Sequence, residues 1–127
     1  MNRIIALILS ALLLTGCGAA ETSGGYEQIS QDEAAEIMAS GQDIIILDVR
    51  RPDEFASGHI AGAVNIPNET IGTDDIPQLP QKDQLILVYC RSGNRSKQAS
   101  EKLASLGYTN IKEFGGINNW SGEITAD

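Results

Sequence analysis

The chain has 127 residues, 42% hydrophobic and 20% charged, with 17 acidic residues against 9 basic ones and a formal charge of −8 at pH 7. A chain of this length is one domain that can bury about two thirds of its unfolded surface, enough for a core without disulfides or structural metal. The acidic balance disfavours nucleic acid as a partner, so any anionic substrate has to be captured by a local cluster of positive groups.

The first residues, Met1-Asn2-Arg3, are followed by an apolar stretch over 4–14 and then Thr15-Gly16-Cys17. That stretch is too short to span a bilayer and fits the apolar region of a signal peptide. Leu14-Thr15-Gly16-Cys17 resembles the bacterial lipobox, whose cysteine receives a diacylglyceryl thioether and becomes the new N-terminus. The resemblance implies a signal peptide over 1–16, lipid on Cys17 and an extracytoplasmic, membrane-anchored lipoprotein of a bacterial cell envelope. Residues 17–25 are small and polar with no periodicity, which predicts a flexible tether. The folded domain is expected over 26–127.

Within that domain a short strand is predicted at 26–29. Ser30 with Glu33 then forms a capping-box pattern, Ala34, Ile37 and Met38 share one helical face, and Gly41 marks the helix end. Ile44-Ile45-Ile46-Leu47 reads as a strand buried on both faces. A helical turn over 51–58, a brief strand at 64–66, a short helix opened by Pro67 and a connecting loop over 73–83 follow. Leu85-Ile86-Leu87-Val88-Tyr89 is a second fully apolar strand. The pattern predicts a helix over 94–106 with Ala99, Leu103 and Leu106 on one face and Gly107 ending it. A last strand at 111–114, a turn at Gly115-Gly116 and a helical turn over 117–121 complete the chain. Strands alternating with helices predict an α/β domain with a parallel sheet, whose ligands sit beyond the carboxyl ends of the strands.

Cys90 lies at such an end, on the loop Cys90-Arg91-Ser92-Gly93-Asn94-Arg95-Ser96. A tight glycine-containing loop with a helix N-terminus behind it concentrates partial positive charge where a thiolate or oxyanion would sit, and Arg91 and Arg95 add full charges. Such a setting should favour the nucleophilic thiolate. Cys90 is the candidate nucleophile, with Arg91, Ser92, Gly93, Asn94, Arg95 and Ser96 as candidate substrate-binding residues. If Cys17 is lipidated, Cys90 is the only free thiol and no internal disulfide can form. His59, the only histidine, is expected in a turn rather than as a base for Cys90. Asp48 and Arg50 are expected in structural ion pairs, Arg50 with Glu54 for instance. No metal-binding spacing, no phosphate-binding loop and no Cys-x-x-Cys is present, so neither metal nor cofactor is expected.

Three blocks resemble the rhodanese-like sulfurtransferases: Leu47-Asp48-Val49-Arg50 through Gly58-His59-Ile60-Ala61-Gly62-Ala63 to Pro67; the cysteine loop; and Leu106-Gly107-Tyr108 through Gly115-Gly116 to Trp120. The resemblance implies a three-layer α/β/α fold with a five-stranded parallel sheet. It also implies transfer of sulfane sulfur from a small anionic donor such as thiosulfate, through a Cys90 persulfide, to a thiol or cyanide acceptor. Related phosphatases and arsenate reductases carry a loop one residue longer, which would need arginine at position 96; this chain has Ser96 there and Arg95 one place earlier. Loop length therefore disfavours oxyanion chemistry. A sulfur-carrier or binding module of the same fold, loading once without turnover, is the alternative the sequence leaves open. The sequence names no protein partner.

Overall fold

A computed structural model describes residues 21–23 and 25–127. The leader and Cys17 lie outside the described residues. In chain order the elements are β1 (Glu21–Ser23), β2 (Tyr26–Gln28), α1 (Gln31–Ala39), β3 (Ile44–Asp48), α2 (Pro52–Ser57), β4 (His59–Ile60), β5 (Val64–Asn65), β6 (Leu85–Cys90), α3 (Asn94–Ser105), β7 (Ile111–Gly116) and β8 (Ile124–Thr125). Single 3-10 turns occupy Asn68–Thr70 and Ile117–Asn119.

The main sheet runs in the order β1-β2-β7-β6-β3-β5, and β2, β7, β6, β3 and β5 are parallel throughout. This is the expected five-stranded parallel sheet of an α/β fold. Strand β1 extends it by one antiparallel edge strand, with Glu21 opposite Gln28 and Ser23 opposite Tyr26. The tether expected over 17–25 thus gives way to structure at Glu21–Ser23. Composition misses this because a short edge strand is held by backbone bonds to its neighbour and needs no apolar pattern of its own. A second small sheet pairs β4 with β8, His59 opposite Thr125.

The central strands are apolar on both faces because both faces are covered. On β6, Ile86, Val88 and Cys90 join Leu47, Val49, Ala99 and Leu103 in the core beneath α3. The alternate residues Leu87 and Tyr89 join Ala34, Ile46 and Phe114 in the core beneath α1, where Trp120 also packs. That period of two is the pleat of a strand. Residues 86–89 are all at 0% exposure, so Leu87→Ala would open a cavity costing about 2–5 kcal/mol. Helix α1 begins where Ser30 accepts a hydrogen bond from Glu33 N at 3.0 Å. Its first residue, Gln31, ties it to β7 through Nε2 to Gly116 O at 2.8 Å.

Gly115 and Gly116 do not form the expected turn. They continue β7, and Gly116 stands opposite Cys90 across a register shift between Val88 and Cys90. The reason is steric. A Cβ on Gly116 would lie 2.2 Å from Arg91 O and 2.6 Å from Ser92 Cα, so only glycine lets the cysteine loop cross the end of this strand. Gly116 φ is −131°, which any residue can adopt.

Candidate active site

Strand β6 delivers Cys90 to the carboxyl edge of the sheet at 1% exposure, and the chain then turns through Arg91, Ser92 and Gly93 into α3. Gly93 has φ +109° and is the N-cap of the helix, a conformation disfavoured for other residues. Its backbone N–H donates to Cys90 Sγ at 3.0 Å. The thiol in turn reaches Ser96 Oγ at 3.4 Å. By helix geometry the first-turn amides of α3, on Asn94, Arg95 and Ser96, lack partners four residues back, and the macrodipole adds partial positive charge at this end.

The two loop arginines differ. Arg91 is exposed and forms no ion pair among the described residues, while its carbonyl accepts from Asn118 N at 3.1 Å and pins the loop to the chain after β7. Arg95 reaches over to α2, where Nη1 and Nη2 meet Glu54 Oε1 and Oε2 at 2.7 and 3.2 Å. That fork engages two of its five N–H donors. Hydrogen bonding to Arg95 is the main reason the Glu54 carboxyl is held down to about 2 from an ordinary 4.5; burial opposes the shift, and the Arg51 backbone N–H adds to it. Ser92 and Asn94 are exposed on the loop, and Ser96 is fully buried.

The ion pair expected between Arg50 and Glu54 does not form. Arg50 turns inward to Asp48, Nη2 to Oδ2 at 2.7 Å, and its Nη2 also reaches Gly58 O at 2.7 Å. Asp48 further accepts from Tyr89 Oη at 2.6 Å. Burial and that bond push the Tyr89 phenol well above its ordinary range, so it stays a donor at any ordinary pH. This buried set braces β3 against β6 behind the site, leaving Glu54 free for Arg95. His59 stacks on Phe55 with ring centroids 3.7 Å apart and its Nδ1 2.8 Å from Phe55 O, a packing role in the β4 turn.

The sequence reading missed Glu113. This carboxylate on β7 is 2% exposed and takes Ser96 Oγ at 2.5 Å, directly behind the thiol. A signal was present, since the strand period places Glu113 on the same face as the apolar Ile111. One open depression of about 390 Å³, lined in part by Gln42, Asp43, Gln84, Leu85 and Asn110, sits at the amino end of β6, opposite the thiol. No cluster of metal ligands occurs among the described residues, and no helix there is long and apolar enough to cross a membrane.

Residues 30–123 match the model of the Rhodanese-like domain, and residues 1–17 match the prokaryotic membrane lipoprotein lipid attachment site. The chain is 36% identical over 73 residues to thiosulfate sulfurtransferase PspE of Escherichia coli, covering 58% of this chain and 70% of that protein. It is 34% identical over 95 residues to a sulfurtransferase of Allochromatium vinosum, covering 74% of this chain and 87% of that one. The solution structure of the rhodanese-like domain of an Anabaena protein superposes with a TM-score of 0.70 at 27% identity, over 79% of each chain. A buried cysteine at the end of the central parallel strand, the sheet order and these matches agree: the chain belongs to the rhodanese-like sulfurtransferase family, and its lipid attachment site makes it a membrane-anchored lipoprotein of the cell envelope.

Proposed function

We propose that the protein is a turnover sulfurtransferase that takes sulfane sulfur from thiosulfate, or a donor of that type, and carries it as a persulfide on Cys90. The observation that carries this reading is the Cys90 sulfur, buried at the mouth of α3 with the Gly93 amide 3.0 Å away. A thiolate there is held by a donor that needs no rearrangement when charge develops. It attacks the outer sulfur of the donor, the donor's S–S bond breaks, and sulfite leaves with the electron pair. A thiophilic acceptor, cyanide or a thiol, then attacks the outer sulfur of the persulfide and the Cys90 thiolate is recovered.

Arg91, exposed and without a competing carboxylate, is the group for the departing sulfonate, since a guanidinium can offer paired hydrogen bonds to such oxygens. Arg95 is held by Glu54 and acts as a brace of the loop with donors to spare. The name of the Escherichia coli relative supports thiosulfate as donor. Cys17, at the end of the matched lipid attachment site, is the lipidated residue.

The deciding experiment is intact-mass analysis after thiosulfate treatment, followed by thiocyanate formation on adding cyanide. A gain of one sulfur on Cys90 and repeated turnover are expected. No gain of sulfur would sink the reading, and loading without turnover would make the protein a sulfur carrier instead.

A further inference from the structure

Glu113 forms no ion pair with any Lys, Arg or His among the described residues. Its Oε2 accepts from Ser96 Oγ at 2.5 Å and Gly115 N at 3.0 Å, and its Oε1 accepts from Gln28 Nε2 at 3.4 Å. Ser96 is at 0% exposure, and its hydroxyl has one proton for several partners: Glu113 Oε2, Gly93 O at 3.0 Å, Gly115 O at 3.4 Å and Cys90 Sγ at 3.4 Å. The contact to Glu113 is the shortest and lies in the range of a hydroxyl donating to a carboxylate. The Ser96 proton is thereby committed to Glu113, and a lone pair is left for the thiol. The bonds run one way, from Cys90 S–H to Ser96 Oγ–H to Glu113 Oε2.

We propose that Glu113 receives the Cys90 proton through Ser96, so that the nucleophile is generated within a buried site by the protein's own groups. This rests on the reading of Cys90 as the sulfur-accepting group. The Cys90 S–H bond breaks, its electron pair stays on Sγ, and the proton bonds to Ser96 Oγ. The former Ser96 O–H bond breaks in the same movement and that proton bonds to Glu113 Oε2. The carboxylate is neutralised as the thiolate appears, so total charge in the pocket is unchanged. Afterwards Ser96 Oγ–H and Gly93 N–H both donate to Sγ, and the Glu113 carboxylic acid donates to Ser96. Glu113 Oε2 already holds the Ser96 hydroxyl proton at hydrogen-bond distance, so it is the acceptor at the end of the path. The nearby charged groups are Arg95, which is paired with Glu54 and close enough to Cys90 for their charges to interact, and Arg91, which is exposed. Glu113 touches no substrate and is a positioning residue; Ser96 is the group in contact with the reacting sulfur.

The test uses the full chain in detergent and no sulfur donor. The rate of Cys90 carboxamidomethylation by iodoacetamide at neutral pH is followed by peptide mass for wild type, Glu113→Gln, Ser96→Ala and the double variant. Each single substitution should slow alkylation by about tenfold or more, the lower side of what proton-transfer groups contribute. The double variant should be no slower than Ser96→Ala. Loss of a buried negative charge, or loosening of the loop, would instead favour or expose the thiolate and speed the reaction. An unchanged or faster Glu113→Gln overturns the proposal, as does a double variant slower than Ser96→Ala. Should Glu113→Gln fail to fold, Glu113→Asp takes its place: the shorter side chain draws the carboxylate back from Ser96 Oγ and should slow alkylation, and an unchanged or faster rate overturns the proposal. Because no donor is present, failure of Cys90 to take sulfur from thiosulfate would sink the proposed function without touching this measurement.

Discussion

Cys90 and Glu54 meet the loop differently, the thiol against the Gly93 amide and the carboxylate against the Arg95 guanidinium, and each is tested by its own substitution. Cys90→Ser keeps a small polar atom opposite the Gly93 amide, so the fold should persist within about 1–2 kcal/mol, while persulfide loading and thiocyanate formation fall by roughly a thousandfold or more. Loading at a tenth of the wild-type level would refute Cys90 as the sulfur-carrying residue. Glu54 is tested by pH. Its folded carboxyl sits near 2 against an ordinary 4.5, so the stability it contributes is fully present above about pH 5 and is lost as pH falls through 2. Glu54→Gln should cost about 1–2 kcal/mol at neutral pH, a value discounted because the Arg95 side chain is 28% exposed. The gap between wild type and Glu54→Gln, read from urea melts at a series of pH values, should close between about 4.5 and 2. A gap that stays constant would show that the pair is not its source. The position of Cys90 at a strand end, on a tight loop that leads into a helix, was legible from sequence because these residues are contiguous. The Arg95–Glu54 fork joins residues 41 positions apart, and only the fold decides which carboxylate a given arginine meets.

At the scale of elements, the site is a crossing of β7 by the loop that joins β6 to α3, and glycine makes the crossing possible. Gly116→Ala would place a methyl 2.2 Å from Arg91 O, a backbone atom that cannot rotate away, so the loop must move. The overpacking should cost about 1–3 kcal/mol. A loop displaced by about 1 Å should lose roughly a hundredfold in sulfur transfer. Melting curves and the rate of persulfide formation report the two effects separately. A full rate with the stability loss would mean that the sulfur does not depend on loop position. The alternation of strands and helices was readable because apolar runs and caps are local signals. The extension of β7 through Gly115–Gly116 was not, since two glycines signal a turn unless a second segment is known to press on them. Strand β1 was hidden for a related reason: its pairing with β2 supplies bonds that its own composition does not announce.

For the whole molecule, strand direction places the membrane anchor relative to the chemistry. Because β1 is antiparallel to β2 with Glu21 opposite Gln28, the chain preceding Glu21 departs from the carboxyl end of the sheet, the end that carries Cys90. Cys17 precedes Glu21 by four positions, a reach of at most about 14 Å when fully extended. With lipid on Cys17, this short path is expected to hold the cysteine loop on the side of the domain nearer the bilayer. A dianionic donor then meets both the net charge of −8 on the chain and the potential of the lipid surface, which reaches about −30 mV on anionic membranes and decays over about 10 Å at 0.1 M salt. Reconstituted into anionic vesicles at low salt, the lipoprotein should need about two- to threefold more thiosulfate for half-maximal loading than in zwitterionic vesicles. Added salt should remove the difference, and Cys17→Ala, which cannot be anchored, should never show it. If wild type loads equally well in both lipids while its attachment is verified by flotation, the loop is turned away from the surface, and the short path from Cys17 to β1 does not orient the domain.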